Sequence, residues 1–187
     1  MLSIPPATAQ LNGYAELHCL SNFSFLRGAS YPAELVAQAK TLGYSALALT
    51  DECSLAGVVR AHVEAKRLDF PLIIGSSFVV DGPPQPLDLV ILAQNREGYG
   101  HLSELITLAR RRAAKGEYRL LRDDLATPAD PAHAHLRHMP DCLVILAPRY
   151  GCDRQAMLEQ ARWVVQTFGP RAWIGLTQMY RARDDNH

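Results

Sequence analysis

Short apolar runs alternate with helix-periodic segments along most of this chain, and this alternation restricts its fold more than any other feature. Residues 46–50, 87–93 and 142–146 are brief runs rich in Val, Ile, Leu and Ala, the pattern of buried strands. Between these runs, apolar residues recur at intervals of three and four, as they do on one face of a helix. Strands that alternate with helices indicate an α/β fold in which helical crossovers join parallel strands.

Glycine and capping residues set the boundaries of the predicted elements. Ser30 is a suitable N-cap, and Gly43 ends the helix that follows it. In the second helix, Val58, Val59 and His62 are predicted to share one side. This second helix is predicted over residues 55–67, and two further helices over residues 100–115 and 153–168. Residues 123–140 are predicted to form a long polar loop. The predicted strands are residues 14–20, 46–50, 71–80 with an interruption at Gly75, 87–93, 142–146 and 172–178.

Composition and charge exclude several classes of protein. Nineteen Lys and Arg balance nineteen Asp and Glu, so contact with nucleic acid would require a local basic patch. No apolar stretch approaches the roughly 20 residues that span a bilayer, and residues 1–13 read as a leader without the features of a secretory signal. The four cysteines form no CxxC pair, which favours a reducing compartment. We therefore expect a cytoplasmic protein without membrane partners.

Polar side chains follow several of the predicted strands. His18 lies near the end of the first strand, and Asp51 comes directly after the second. Ser77 lies on the third strand and Thr177 near the end of the last. Because ligands of α/β folds bind at the carboxyl ends of parallel strands, the first two strands are expected to place a histidine and a carboxylate on the same rim.

Three segments resemble a known family. The stretches YAELHCLSNFSFLRGAS (residues 14–30) and YSALALTDECSLAGVVRAH (residues 44–62) resemble the first two motifs of the PHP domain, named for polymerase and histidinol phosphatase. The segment LVILAQNREGYGHLSELITLARRR (residues 89–112) resembles alpha-type subunits of bacterial C-family DNA polymerases. Parts of all three segments are especially similar to the error-prone, damage-induced branch of that family. The resemblance implies a distorted seven-stranded β/α barrel over residues 14–187, incomplete at its C-terminal side.

The resemblance also implies a metal site, because active PHP domains hold metal ions on the barrel rim with His, Asp and Glu ligands. The first motif of the family is His-x-His, and this chain has His18 followed by Cys19 and Leu20. Asp51 matches the second motif, with Glu52 in place of its usual histidine. Ser77, Asp88 and Thr177 stand where the family has further ligands. His18 and Asp51 thus remain as vestigial ligands, and we expect no hydrolytic activity and no cofactor in this chain.

Other interpretations of the same rim stay open. Glu52, Asp88 and Cys53 could replace the missing ligands and hold residual zinc or manganese. His18 could instead be a hydrogen-bonded histidine linked to Asp51, and Asp51 could cap the next helix. Cys19 and Cys53 are expected to be small buried side chains.

A basic run closes the third resembling segment. Arg110, Arg111 and Arg112 precede Lys115, and Arg119 and Arg122 follow. This run could contact DNA or another polymerase domain, or it could be a solvated helix end whose charges suit the helix dipole. The three histidines of the predicted loop, His133, His135 and His138, are expected to be polar surface groups.

Three functional hypotheses follow. The first is a non-catalytic portion of the PHP domain of an error-prone, translesion DNA polymerase, with structural contacts to the remaining polymerase domains, to DNA through the parent enzyme, and to translesion accessory proteins. Magnesium would then serve the parent polymerase outside this chain. The second is a metal-dependent phosphoesterase or 3'-5' exonuclease, and the third is an interaction module that acts through the arginine-rich helix. An unclosed barrel would also expose apolar surface and favour self-association.

Overall fold

The chain divides into two compact units between Ile74 and Gly75. The computed structural model describes residues 13–83 and 85–176. The division falls within one strand, β3 (Leu72–Asp81), so the first residues of this strand belong to the first unit and the rest to the second.

The first unit is built from parallel strands joined by helical crossovers, as predicted. Its elements are β1 (Ala15–Cys19), α1 (Pro32–Thr41), β2 (Ala46–Leu49), α2 (Val58–Leu68) and the start of β3. β2 lies between the other two strands and pairs in parallel with both. The register pairs Ala15 with Ala46 and Leu47 with Leu72. This order places the ends of β1 and β2 side by side.

The core of the first unit lies between this sheet and its two helices. It contains Val36, Ala39, Leu47, Leu49, Val58, Ala61, Ala65 and Phe70. The predicted face of α2 is wrong in part, because Val59 is 71% exposed and His62 is also exposed. Ala61 and Ala65 are buried instead, at positions three and seven residues after Val58, which are on the same side of a helix.

The second unit contains the remaining elements. They are the rest of β3, β4 (Leu87–Ala93), α3 (Arg96–Arg111), β5 (Leu120–Leu121), α4 (Arg122–Ala126), β6 (Cys142–Leu146), α5 (Arg154–Phe168) and β7 (Ala172–Ile174), with 3-10 turns at Pro131–Leu136 and Gly169–Arg171. Strand β3 is continuous through Gly75, so the predicted interruption is wrong. Of the last predicted strand, Thr177 and Gln178 lie outside the described residues.

The prediction of uniformly parallel strands is wrong in the second unit. β4 pairs antiparallel with both β3 and β6, whereas β5 pairs in parallel with β3 and β7 with β6. The link between β3 and β4 covers only residues 82–86. A parallel connection needs a crossover of about a dozen residues or more, so this short Gly- and Pro-containing link permits only an antiparallel pair.

The segment predicted as a long polar loop at 123–140 is partly ordered into helix. It contains most of α4 and the turn Pro131–Leu136, and it buries Leu125, Leu136 and Met139 completely. These three apolar side chains anchor a segment whose prolines and histidines otherwise suggest a solvated loop.

Helix α3 begins four residues earlier than predicted. The side chain of Asn95 caps it and accepts a hydrogen bond from Gly98 N at 2.9 Å. Asn is a favoured N-cap, so Asn95 marks the start of this helix. Among all the helices within residues 13–83 and 85–176, none has both the length and the apolarity to cross a membrane.

Candidate functional site

Asp51 is the centre of the rim formed by β1 and β2. It follows β2 directly and is only 2% exposed. Its Oδ1 accepts hydrogen bonds from Ser21 N at 2.8 Å and from Ser24 Oγ at 2.7 Å, and its Oδ2 accepts one from Ser21 Oγ at 2.7 Å. The carboxylate therefore binds the segment that follows β1. Its predicted alternative role as a helix cap is wrong, because α2 begins after Gly57 with no side-chain cap.

The segment held by Asp51 is loop 21–30, which connects β1 to α1. Backbone hydrogen bonds close it internally: Ser24 N and Gly28 N donate to Ser21 O and Ser24 O, respectively, each at 2.9 Å. A Cβ atom on Gly28 would lie 2.0 Å from the carbonyl oxygen of Ser21, so only glycine fits there. Loop 21–30 is thus a tightly wound segment fixed to the end of β2.

Glu52 adds a second attachment to loop 21–30. Its Oε2 lies 2.6 Å from Nη1 of Arg27, and its backbone N donates to Ser24 Oγ at 2.9 Å. Arg27 is 47% exposed and Glu52 24% exposed, so this ion pair is partly screened by water. Glu52, predicted as a possible substitute metal ligand, therefore binds the guanidinium of Arg27.

The remaining rim residues of the first unit are a histidine and two cysteines. His18 lies on β1 and is half-buried, and its backbone N donates to Glu16 Oε1 at 2.8 Å. Burial, assisted by the charges of Glu16 and Asp51, raises the pKa of the Cys19 thiol to about 11, so at neutral pH it is not a thiolate. Cys53 is 1% exposed, in agreement with the prediction of a buried cysteine.

These residues do not fit the metal centre that the family implies. Leu20 has no donor atom, and the carboxylate of Asp51 already accepts hydrogen bonds from Ser21 and Ser24. A carboxylate has about four acceptor sites, so a metal ion at Asp51 would compete with these three hydrogen bonds, and displacing any of them would leave a buried donor unpaired. Across residues 13–83 and 85–176, no group of three or more His, Cys, Asp or Glu side chains is arranged to hold a metal ion.

The other predicted ligand positions lie in the second unit or beyond the described residues. Asp88 on β4 forms a bidentate ion pair with Arg149, at 2.8 and 2.9 Å, and this hydrogen bonding raises the pKa of Arg149. Ser77 lies on β3 opposite Val90 and is buried. Thr177 is outside the described part of the chain.

The basic run at the end of α3 makes mainly internal contacts. Arg112 forms a bidentate pair with Asp124, with N–O distances of 2.5 and 2.9 Å. The guanidinium of Arg110 lies 5.3 Å from the ring centre of Tyr118. Arg111 and Lys115 are exposed to solvent. Of the four predicted contact residues, Arg110 and Arg112 thus have partners within the chain, whereas Arg111 and Lys115 face solvent.

The two basic residues that follow this run also have partners. Arg119 lies 3.8 Å from Asp81, and Arg122 donates to the carbonyl of Gln85 at 3.1 Å. The guanidinium of Arg122 also lies 5.1 Å from the ring centre of Trp163. Burial lowers the pKa of Arg122.

Two of the three histidines of the 123–140 segment lie beside acidic residues. His135 Nε2 lies 2.8 Å from Glu104 Oε2, and His133 Nδ1 lies 3.3 Å from Asp130 Oδ2. His135 is exposed, as predicted, whereas His133 and His138 are half-buried.

Sequence reasoning missed the two serines that engage Asp51. Ser21 and Ser24 are buried, and they lie 30 and 27 residues from Asp51 along the chain. The sequence signal for these serines is their position just after β1, the strand that pairs with β2, which Asp51 follows. Their pairing with the carboxylate depends on the winding of loop 21–30.

Comparison with known proteins identifies the family of this chain. The PHP domain family model matches residues 16–171. The chain is 63% identical over 184 residues to an error-prone DNA polymerase of Bordetella bronchiseptica, and this covers 96% of this chain and 17% of that protein. It is 56% identical over 164 residues to the error-prone DNA polymerase of Methylococcus capsulatus, covering 87% of this chain and 14% of that protein. The chain therefore spans about one sixth of the length of these relatives.

Two solved structures share the fold at low sequence identity. An amidohydrolase from Chromobacterium violaceum matches with a TM-score of 0.58 and 15% identity, covering 86% of this chain and 76% of that one. A structure from Bifidobacterium adolescentis, assigned as a metal-dependent phosphoesterase, matches with a TM-score of 0.54, 14% identity and the same coverage. The predicted α/β fold of the PHP type is confirmed. Because the family model matches most of its length, the chain belongs to the PHP domain family.

Proposed function

We propose that this chain is a non-catalytic portion of the PHP domain of an error-prone DNA polymerase. Its role is structural: it supports the remaining polymerase domains during translesion synthesis in the cytoplasm of a cell with damaged DNA. The similarity to error-prone DNA polymerases supports the assignment of this chain to such a polymerase. The observation that carries the non-catalytic assignment is the carboxylate of Asp51, which accepts hydrogen bonds from Ser21 and Ser24.

The chemistry of the rim supports a structural role for Asp51. A hydrolytic metal ion activates water only where several ligands fix it and balance its charge. Here Leu20 replaces one imidazole, and Glu52 pairs with Arg27. Asp51 instead binds neutral hydroxyl and amide donors, which hold a connecting loop in place. Asp51 and Glu52, which stand at metal-ligand positions of the family, therefore fix loop 21–30.

In this proposal the polymerase reaction belongs to the rest of the parent protein. The magnesium ions for nucleotidyl transfer, the contacts with primer and template, and the contacts with translesion accessory proteins are assigned there. Arg111 and Lys115, which are exposed, remain the residues of this chain most suited to contact DNA or a neighbouring domain.

The decisive experiment is metal analysis of the purified chain together with a phosphodiester hydrolysis assay in manganese. We expect far less than one zinc or manganese per chain and no manganese-dependent hydrolysis. The variants His18→Ala and Asp51→Asn should not change the metal content. A matched control is the double variant Asp130→Asn and His133→Ala, which removes the same residue types from the second unit.

Stoichiometric metal that disappears in His18→Ala and Asp51→Asn, but not in the control, would favour the phosphoesterase or exonuclease hypothesis. A second test concerns the parent protein. Primer extension past an abasic template site by the longer polymerase that carries this segment is expected to continue when Asp51→Asn is introduced. Loss of extension at a temperature where the variant remains folded would contradict the structural role.

A further inference from the structure

Loop 21–30 presents two adjacent apolar side chains to solvent. Phe25 is 84% exposed and Leu26 is 89% exposed, more than any other large apolar side chain in the described part of the chain. Single exposed apolar residues are common on protein surfaces, whereas contiguous exposed apolar patches mark interaction sites. We call Phe25 and Leu26 the apolar tip.

The loop holds the apolar tip from both sides. Ser24, directly before it, donates to the buried carboxylate of Asp51 at 2.7 Å. Arg27, directly after it, pairs with Glu52 at 2.6 Å. Gly28 then packs against the backbone of Ser21, where no side chain fits. The tip is therefore preorganised, which lowers the entropy that a partner must remove on binding.

The backbone of the tip is also strained. Leu26 has a φ of 60°, in the left-handed region that leucine rarely adopts. Such conformations persist where the surrounding structure enforces them, and they concentrate at functional sites. At this strained position the side chain of Leu26 is 89% exposed, next to the exposed Phe25.

The charges around the tip favour a protein partner over nucleic acid. The guanidinium of Arg27 is neutralised by Glu52, and that of Arg60 lies 5.5 Å from the ring centre of Phe23. Binding of single-stranded DNA combines aromatic stacking with cations that follow the phosphates. These two cations already have partners, whereas docking into an apolar pocket requires no cation.

We propose that the apolar tip docks into an apolar pocket on another domain of the same polymerase chain. This inference rests on the proposed function, because the relatives that this chain matches contain far more chain than the 17% or less that it covers. The former metal carboxylate would then have become the anchor of a docking loop. A second copy of this chain and single-stranded DNA are the competing occupants.

Site-directed labelling tests this proposal. Leu26→Cys and, separately, Phe25→Cys are introduced into the full-length polymerase and into the 187-residue chain alone. Maleimide labelling of these positions, measured by peptide mass spectrometry, is expected to be at least tenfold slower in the full-length protein. The control is Val63→Cys on α2, which is 64% exposed and should be labelled at equal rates in both.

A second readout uses loss of the apolar groups. Phe25→Ser with Leu26→Ser in the full-length protein should increase the rate of proteolytic release of this segment about tenfold. The matched control, Val59→Ser with Val63→Ser, removes a second exposed apolar pair and should leave that rate unchanged. Equal labelling of Leu26→Cys in both proteins, or release rates equal to the control, would overturn the proposal.

The competing occupants and the proposed function give distinct results. Protection that grows with the concentration of the isolated chain indicates a second copy, and protection that requires an added oligonucleotide indicates DNA; either overturns the intramolecular assignment. Primer extension is measured in parallel. A protein that protects the tip but does not extend primers contradicts the proposed function and leaves the docking intact, whereas the reverse pattern contradicts only the docking.

Discussion

The rim of the first unit and the basic helix end of the second unit each contain charged residues that suggest an external ligand, and each binds those charges internally. The two regions differ in burial. Asp51 is 2% exposed and accepts hydrogen bonds from neutral donors. Arg112 is 29% exposed and pairs with a carboxylate that is 12% exposed. A charge with an internal partner therefore contributes differently to stability in each region.

The reason is the solvent. When one partner of a buried hydrogen-bond network is removed, the others stay dehydrated and unpaired. When one partner of a partly exposed ion pair is removed, water can reach the other. Substitutions in the first unit should therefore destabilise the protein more than comparable substitutions at the end of α3.

Removal of the central carboxylate should have the largest effect. Asp51→Ala leaves the donors of Ser21 and Ser24 unpaired in a buried site, and we expect it to lower the free energy of unfolding by about 3 kcal/mol. Glu97→Ala, which removes an exposed carboxylate from the first turn of α3, should change it by less than about 0.5 kcal/mol. Urea denaturation measures both. Similar values for the two variants would contradict the assigned burial of the network.

The close packing of loop 21–30 can be tested with a single methyl group. Gly28→Ala directs a Cβ to within 2.0 Å of a backbone oxygen, and we expect a loss of about 2 kcal/mol. Gly100→Ala is the matched control, because its Cβ would meet nothing within 4 Å and the residue lies inside α3. The control should gain roughly 0.5–1 kcal/mol through helix propensity. Thermal unfolding should therefore shift in opposite directions for the two variants.

The basic helix end should show a smaller effect that separates neighbouring arginines. Arg112→Ala removes the pair with Asp124, and we expect it to lower the free energy of unfolding by about 1 kcal/mol. Arg111→Ala should leave stability unchanged within about 0.5 kcal/mol, because its side chain is exposed. If this surface contacts DNA, the Arg111 variant should weaken binding more than the Arg112 variant does in fluorescence anisotropy. Charge reversal at all three arginines without any loss of binding would exclude the interaction-module hypothesis.

The smallest expected effect is a pH dependence that originates at Cys19. Its pKa is about 11 in the folded protein, against an ordinary value of 9.0. The folded state therefore keeps the proton that the unfolded chain releases, so this contribution to stability is complete below pH 9 and is lost as the pH rises to 11. Cys19→Ala should flatten the decrease in stability over that range. Cys152→Ala is the control, and an unchanged slope for Cys19→Ala would contradict the assigned burial.

Local sequence signals predicted much of the fold because they depend on nearby residues. The bounds of β4 and β6 follow from short apolar runs, of which that of β4 contains one acidic residue, Asp88. The start of α5 follows from Asp153, whose side chain accepts hydrogen bonds from the first helical turn. The antiparallel direction of β4 could also be predicted from the sequence, since residues 82–86 are too few for a crossover. The burial of Leu125 and Leu136 could not be predicted, because no apolar periodicity surrounds either residue.

Residue identity and spacing are sufficient to predict the α/β class, the family resemblance and the absence of a side-chain donor atom at Leu20. The role of Asp51 depends instead on the folded structure. Its partners Ser21 and Ser24 are remote along the chain and become adjacent because β1 pairs with β2 and loop 21–30 winds back over the strand ends. Hydrogen bonds and burial are set by that three-dimensional proximity, which no local pattern specifies.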